Sequence, residues 1–196
     1  ILVVTGGAGF VGSNLVKFLL LKTNYKIISL DNYSSGSIHN HIKDKRVKYI
    51  KSETFHISIK LDKFKKKIKA LFHFGEFARI HQSFYNTEDC FASNISGTSN
   101  VFYFCLKNKI KIIYSATSAS LGNKGKDQSL SPYAFTKSKN LQLLSHLKKW
   151  FRLSYEALYF YNVYGPGQIK EGPMATVIGI FENQYKKKIP LTVVRP

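Results

Sequence analysis

Cysteine is almost missing from this 196-residue chain, which has only Cys90 and Cys105. Their spacing is neither CxxC nor that of metal ligands, so a disulfide framework and a zinc site are excluded, and two buried free thiols in a reducing compartment are expected. Long apolar runs are missing too. None approaches the roughly 18 residues that span a bilayer, and the apolar start runs into glycines instead of a cleavage site, so a soluble, cytoplasmic protein is expected. Arginine is scarce: Arg46, Arg79, Arg152 and Arg195 are four of the 30 basic residues. The net charge of +19 would ordinarily suggest nucleic acid or an anionic membrane, but the lysines are scattered and the Arg forks favoured for phosphate and base recognition are few. Neither partner is expected, nor is a metal. There is no internal repeat and no long Pro, Ser or Gly linker. The chain opens at Ile1 on a hydrophobic strand without an initiator Met and stops at Pro196 without a closing element, so a longer natural protein is expected.

What is present is alternation. Short β-branched or apolar runs at 1–5, 25–30, 47–50, 70–74 and 111–115 read as strands, and helical periodicity occupies 11–21, 58–68, 87–107, 132–151 and 175–185. Repeated strand, helix, strand order implies an α/β fold, because parallel strands require crossovers and crossovers supply helices. The expected architecture is a doubly wound parallel sheet of Rossmann type over residues 1–160, with the catalytic helix included. Residues 161–196 begin a C-terminal substrate-binding lobe that is incomplete in this chain. The lysine-dense stretch 60–69 carries Leu61, Phe64 and Ile68 at helical spacing and reads as a solvated face around a packed stripe.

Thr5-Gly6-Gly7-Ala8-Gly9-Phe10-Val11-Gly12 joins the first strand to the first helix. Glycines there allow a tight turn and close backbone approach to a pyrophosphate, whose charge the helix amides hold. Asp31 ends the second strand, 19 residues after Gly12, where a carboxylate can accept hydrogen bonds from ribose hydroxyls. A carboxylate also repels a 2′-phosphate, and Asn32-Tyr33-Ser34-Ser35-Gly36 offers no Arg to hold one, so NAD is expected over NADP. The competing reading of Asp31 is a turn cap.

Ser131-Pro132-Tyr133-Ala134-Phe135-Thr136-Lys137 holds Tyr-x-x-x-Lys inside a helical stretch. A spacing of four puts phenol and ammonium on one helix face, where the cation can favour the phenolate and reach a nicotinamide ribose. Tyr and Lys at this spacing are common on surfaces. The hydroxyl-rich strand end Ser115-Ala116-Thr117-Ser118 before them makes the pattern specific, since a hydroxyl there can complete a proton-transfer set.

With these motifs stand His73-Phe74-Gly75-Glu76, Asn94 with Gly97-Thr98, and Tyr161-Asn162-Val163-Tyr164-Gly165-Pro166. Over nearly its whole length the chain resembles the extended short-chain dehydrogenase/reductases of the NAD-dependent epimerase/dehydratase family, and is most similar to the UDP-glucose 4-epimerase-like sugar-nucleotide epimerases. The resemblance implies a tightly held NAD and a nucleotide-sugar substrate that a positive field would help attract; a second copy of the chain is also admissible as a partner. It implies Thr117, Tyr133 and Lys137 as the catalytic set, with Ser118 the competitor for Thr117. For the cofactor it implies Gly6, Gly9, Phe10, Val11, Gly12, Asp31, Asn32, Ser35, Glu53, Phe74, Gly75, Asn94, Tyr133, Lys137 and Tyr161. For the sugar nucleotide it implies Thr117, Tyr133, Asn162, Met174 and Ala175.

Several positions depart from the family pattern. Ser52-Glu53-Thr54 replaces the common Gly-Asp-Ile, so Glu53 stands in for the Asp beside the adenine. His73-Phe74-Gly75-Glu76 replaces His-Leu-Ala-Ala and leaves the role of Glu76 open. Leu121 takes the place of the usual Tyr before Gly122. The related 4,6-dehydratases carry Asp-Glu after the catalytic Thr, and the decarboxylases carry Glu at the position of Ala119; here those positions are Ser118 and Ala119. The implied reaction is therefore NAD-dependent epimerisation, at C4 of a UDP-hexose, through a transient keto sugar. The alternatives are a dehydratase, decarboxylase or reductase of the same family and, more remotely, a non-catalytic NAD-binding protein.

Overall fold

The structure, a computed structural model, describes residues 1–172 and 175–193. It divides into two compact units, Ile1–Tyr161 and Asn162–Pro196. The first unit is built on six parallel strands: β1 (Leu2–Thr5), β2 (Ile27–Asp31), β3 (Val47–Lys51), β4 (Ala70–His73), β5 (Lys111–Thr117) and β6 (Tyr155–Phe160). Their order in the sheet is β3-β2-β1-β4-β5-β6. The chain thus winds outward from β1 in one direction, then crosses to β4 and winds out in the other. This is the doubly wound Rossmann order, and its reversal between β1 and β4 opens a crevice at the carboxyl ends of those two strands.

Strand alternation explains the two-faced core. Along β1, Leu2 and Val4 pack with Val16, Leu19, Leu20 and Ile27 on one face of the sheet. Val3 turns to the other face and joins Ile28, Leu30, Leu71, Val101, Phe102 and Leu144. Burying each such side chain contributes about 1.5–3 kcal/mol. Residues of β1 are buried on both faces, which is why it reads as a continuous apolar run.

The helices of this unit are α1 (Phe10–Lys22), α2 (Ile57–Leu61), α3 (Ile80–Tyr85), α4 (Thr87–Phe91), α5 (Thr98–Asn108) and α6 (Pro132–Phe151). The last matches its sequence span because both ends are chemically marked. Ser131 caps the start by accepting the Ala134 N–H at 3.0 Å, Pro132 takes the first turn, and Arg152 closes the end at a φ of 58°. Two other spans differ from expectation. The stretch 58–68 is one α-helical turn followed by a 3₁₀ segment, Asp62–Lys67, although Leu61 and Ile68 are buried. The stretch 87–107 is interrupted by a π-helical segment, Ala92–Gly97, which carries Asn94.

In the second unit α7 (Val177–Lys186) is capped by Thr176, whose hydroxyl accepts the Gly179 N–H at 3.2 Å. The same hydroxyl donates to Oε1 of the buried Gln168 at 3.2 Å. Its surface ion pairs, Lys170–Glu182 and Lys187–Glu171, contribute little individually.

Packing at Gly12 sets how closely α1 approaches the loop after β1. A Cβ there would stand 2.1 Å from the Gly6 carbonyl oxygen and 2.8 Å from Gly7 Cα. Relief would require α1 to back away from the core that Val16, Leu19 and Leu20 fill. Gly12→Ala should therefore lower unfolding free energy by about 2 kcal/mol, on the scale of core overpacking. Denaturant titration measures this, and an unchanged midpoint would show that the loop yields freely.

Candidate active site

The loop between β1 and α1 is held open by its own backbone. Gly6 lies at a φ of 69°, in the left-handed region that favours glycine. Gly9 is the N-cap of α1, and no side-chain hydrogen bond caps that end. The first amides of α1 are thus directed at whatever anion sits before them. Across the crevice, the loop after β4 comes so close that a Cβ on Gly75 would meet the Gly6 nitrogen at 2.9 Å.

Asp31 closes the side toward β2. Its Oδ2 accepts the Ala8 N–H at 2.9 Å and its Oδ1 the Tyr33 N–H at 2.8 Å. The carboxylate fixes two loops while each oxygen keeps a lone pair for another donor. Tyr33 pays backbone strain for this, with a φ of 65°, and its hydroxyl is tied to His41 Nε2 at 2.9 Å. Next to it Asn32 donates to both oxygens of Glu53, at 3.2 and 3.0 Å. The resulting cleft is open to solvent. Gly6, Gly9, Asp31, Asn32, Ser35, Glu53, Phe74 and Gly75 line it together, joined by Glu76 and Ser93.

Behind the cleft runs a buried hydrogen-bond chain whose direction is set by donor counting. The backbone N–H groups of Phe74 and Gly75 both donate to Thr5 Oγ1, at 3.2 and 3.1 Å. The Thr5 hydroxyl donates to His73 Nδ1 at 2.7 Å, and His73 Nε2–H donates to Thr98 Oγ1 at 2.9 Å. The Thr98 hydroxyl then donates to Glu76 Oε1 at 2.9 Å. An ionised carboxylate only accepts, so the network assigns the Nε2–H tautomer to a neutral His73. Burial lowers the His73 pKa to about 4, in keeping with a neutral ring.

Glu76 also accepts from the Tyr114 hydroxyl at 3.2 Å and from Asn140 at 3.1 Å, and it forms a buried ion pair with Lys137. Burial alone would push its carboxyl up. The Lys137 ammonium, with the hydrogen bonds from Lys137 and Thr98, outweighs burial and holds it below the ordinary carboxylate range. Lys137 reaches this position from α6, where it also donates to the carbonyl oxygen and the hydroxyl of Ser115 on β5.

Tyr133 stands one turn before Lys137, its N–H donating to Ser83 of α3 at 3.2 Å. Arg79, at the N-cap of the same helix, is brought near enough to attract a Tyr133 phenolate, although burial pulls its own pKa down. Thr117 is the last residue of β5 and is buried; its hydroxyl oxygen accepts the Ala119 N–H at 3.3 Å, while Ser118 opens the short turn beyond. Asn94 grips the loop after β4 through both backbone groups of Phe77, at 2.7 and 3.1 Å, and donates to Thr136 at 3.1 Å. Phe10, Val11 and Gly12 form the first turn of α1, and Tyr161 ends the first unit, exposed. Asn162 and Ala175 belong to the second unit. Met174 lies outside the described residues.

A parallel sheet with an uncapped helix N-terminus at its switch point and a carboxylate closing the next strand defines a dinucleotide-binding Rossmann protein. The model of the NAD dependent epimerase/dehydratase family matches residues 2–195; the chain belongs to that family, and its cofactor is NAD. It is 31% identical over 200 residues to the ADP-L-glycero-D-manno-heptose-6-epimerase of Brachyspira hyodysenteriae, covering 94% of this chain and 61% of that protein. The UDP-N-acetylglucosamine 4-epimerase of Methanobrevibacter ruminantium superposes with a TM-score of 0.83 at 30% identity, covering 96% of this chain and 63% of that one. The UDP-glucose 4-epimerase of Thermotoga maritima, solved with UDP-glucose, superposes with a TM-score of 0.88 at 26% identity, covering 99% and 65%. The chain therefore spans a little over three-fifths of the length of these relatives.

The neutral His73 has a consequence for acid stability. Its folded pKa lies below the ordinary 6.5, so its contribution is complete above about pH 6.5 and is lost as pH falls toward about 4. The expected loss is about 3 kcal/mol. His73→Leu should be less stable than the unchanged protein at neutral pH and should show a shallower decline over this window. Urea unfolding at a series of pH values measures both, and equal slopes would remove His73 from the account.

Proposed function

We propose that the full-length protein epimerises a nucleotide sugar, at C4 of a UDP-hexose, with Thr117, Tyr133 and Lys137 as its acid/base set. The observation that carries this reading is the bond from Lys137 to Ser115. On a strand, Ser115 and Thr117 share a face, with Thr117 about 6.6 Å nearer the carboxyl edge. On α6, Tyr133 and Lys137 share a face, with Tyr133 about 6 Å nearer the helix start. Helices in a parallel α/β unit run opposite to the strands, so both steps lead toward the same edge. Pinning Lys137 to Ser115 thus supports a Thr117 hydroxyl and a Tyr133 phenol directed at one sugar oxygen.

In this reading the first amides of α1 hold the cofactor pyrophosphate and Asp31 accepts from the adenosine ribose. When bound, NAD supplies an acceptor for a hydride from the sugar carbon and can give it back to the opposite face. Tyr133 as phenolate takes the proton of the sugar hydroxyl and later returns it, with Thr117 bonded to the same oxygen. Asn162, Met174 and Ala175 would contact the sugar nucleotide. Ser118 and Ala119 supply no carboxylate next to Thr117, which favours epimerisation over dehydration or decarboxylation.

Incubating the full-length protein with a panel of nucleotide sugars, with stereochemical analysis of products, tests the reading. Epimer formation without accumulating reduced cofactor is expected; accumulation would make it a net dehydrogenase. Tyr133→Phe should keep NAD bound while lowering turnover by about 10² or more, the scale of a lost acid/base group. Full activity in that variant would remove Tyr133 from the chemistry. Asp31→Asn keeps the shape of the side chain and removes its charge, so discrimination against NADP should relax by about tenfold or more, the scale of losing a charged contact. Calorimetry with both cofactors decides this, and an unaltered preference would mean that the ribose is read elsewhere.

A further inference from the structure

An ammonium has three N–H donors, and Lys137 engages all three within the protein: one to Glu76 Oε2, one to the Ser115 carbonyl and one to Ser115 Oγ at 3.2 Å. Ser115 can accept because its own proton goes to the His73 carbonyl at 2.9 Å. The side chains of Lys137 and Glu76 are only 4% and 2% exposed.

Among the described residues, the groups facing the pair from the packed elements are neutral, apart from the cationic Arg79. From β4 comes the neutral His73. From β5 comes Tyr114, with the Lys137 ammonium 4.5 Å from its ring centre and its phenol kept protonated by burial and by Glu76. Cys90 of α4 has a thiol pushed up by burial, and Tyr133 shares α6. Arg79 is positive and lies toward Tyr133. Among these groups Glu76 is the one anion in contact with Lys137.

We propose that Glu76 is a positioning residue, the counter-ion that keeps Lys137 charged and pinned against β5 beneath Tyr133. The inference rests on reading Lys137 as part of the acid/base set. An ammonium left in this site with only neutral partners sheds its proton more readily, because burial penalises the charged form. A purely packing role for Glu76 would carry no such consequence.

The test follows the lysine itself, by NMR of the full-length protein with NAD and ¹³C-labelled lysine, the Lys137 signal being identified by its loss in Lys137→Arg. In Glu76→Gln, conversion of that signal to the neutral-amine form should move at least about two pH units lower than in the unchanged protein. Titration at the same pH in both would overturn the proposal. Should Glu76→Gln not fold, Glu76→Asp, which retracts the charge by one methylene, should displace the titration in the same direction by less; no displacement would overturn the proposal equally. Turnover supplies the second readout: the ratio of Glu76→Gln to unchanged activity should fall by about tenfold or more between about pH 6 and about pH 9, whereas a ratio constant with pH would reduce Glu76 to packing. If the unchanged protein converts no nucleotide sugar, the proposed function fails, while the lysine titration still decides the counter-ion.

Discussion

Between β4 and α6 two opposite charges are withdrawn from water, and the surroundings of the site follow from that. Breaking such a pair by removing one partner costs about 3–5 kcal/mol, because the survivor is left buried and uncompensated. The neighbours are therefore donors to the carboxylate and acceptors for the ammonium: Thr98, Tyr114 and Asn140 on one side, Ser115 on the other. Satisfying them fixes the register of α6 on β5 and holds the loop after β4 in place. Replacing a buried pair by well-packed apolar residues is often neutral or stabilising, so the pair is to be read through what it positions more than through what it adds to stability.

The same economy of polar groups runs through the cleft. Asp31 joins the glycine loop to the segment after β2. Asn94 joins the π-helical segment to the loop after β4, and Asn140 joins α6 to both through Glu76 and the Asn94 carbonyl, the latter at 2.6 Å. Loops that carry chemistry on an α/β sheet are otherwise the mobile parts of the molecule. Here Asn94 holds the loop after β4 by the backbone groups of Phe77, and Asn140 holds it by the Glu76 carboxylate.

Much of this was legible in the sequence where the signal is local. Gly6 to Gly12 and Asp31 announce themselves because turn chemistry and strand-end position depend on a few adjacent residues. Tyr133 and Lys137 show because a spacing of four means one helix face, and α6 because Ser131-Pro132 marks its start. What was missed is non-local or mixed in pattern. β6 was not expected, since its half-buried residues Tyr155, Ala157 and Phe160 alternate with exposed Glu156 and Leu158 at a sheet edge. The short α3, which brings Ser83 and Arg79 to Tyr133, carries exposed Ile80, Phe84 and Tyr85 and lacks a clear apolar face. The π-helical segment hides inside a good helical pattern, and the grip of its Asn94 on Phe77 spans 17 positions that no local periodicity joins. Glu76 and Lys137 lie 61 residues apart, and no local periodicity joins them. The one available signal was an acidic residue at a position where the family pattern has a small apolar one.

The directed chain from Thr5 to Glu76 ends, in the loop after β4, on two backbone amides that cannot give up their protons. It is therefore a blind alley for charge. Each hydroxyl has committed its single proton in the same sense. Glu76 can be polarised through Thr98 and His73 but cannot be refilled by that route. The chain therefore transmits orientation from the loop after β4 to the buried carboxylate, with each hydroxyl proton committed to the next acceptor.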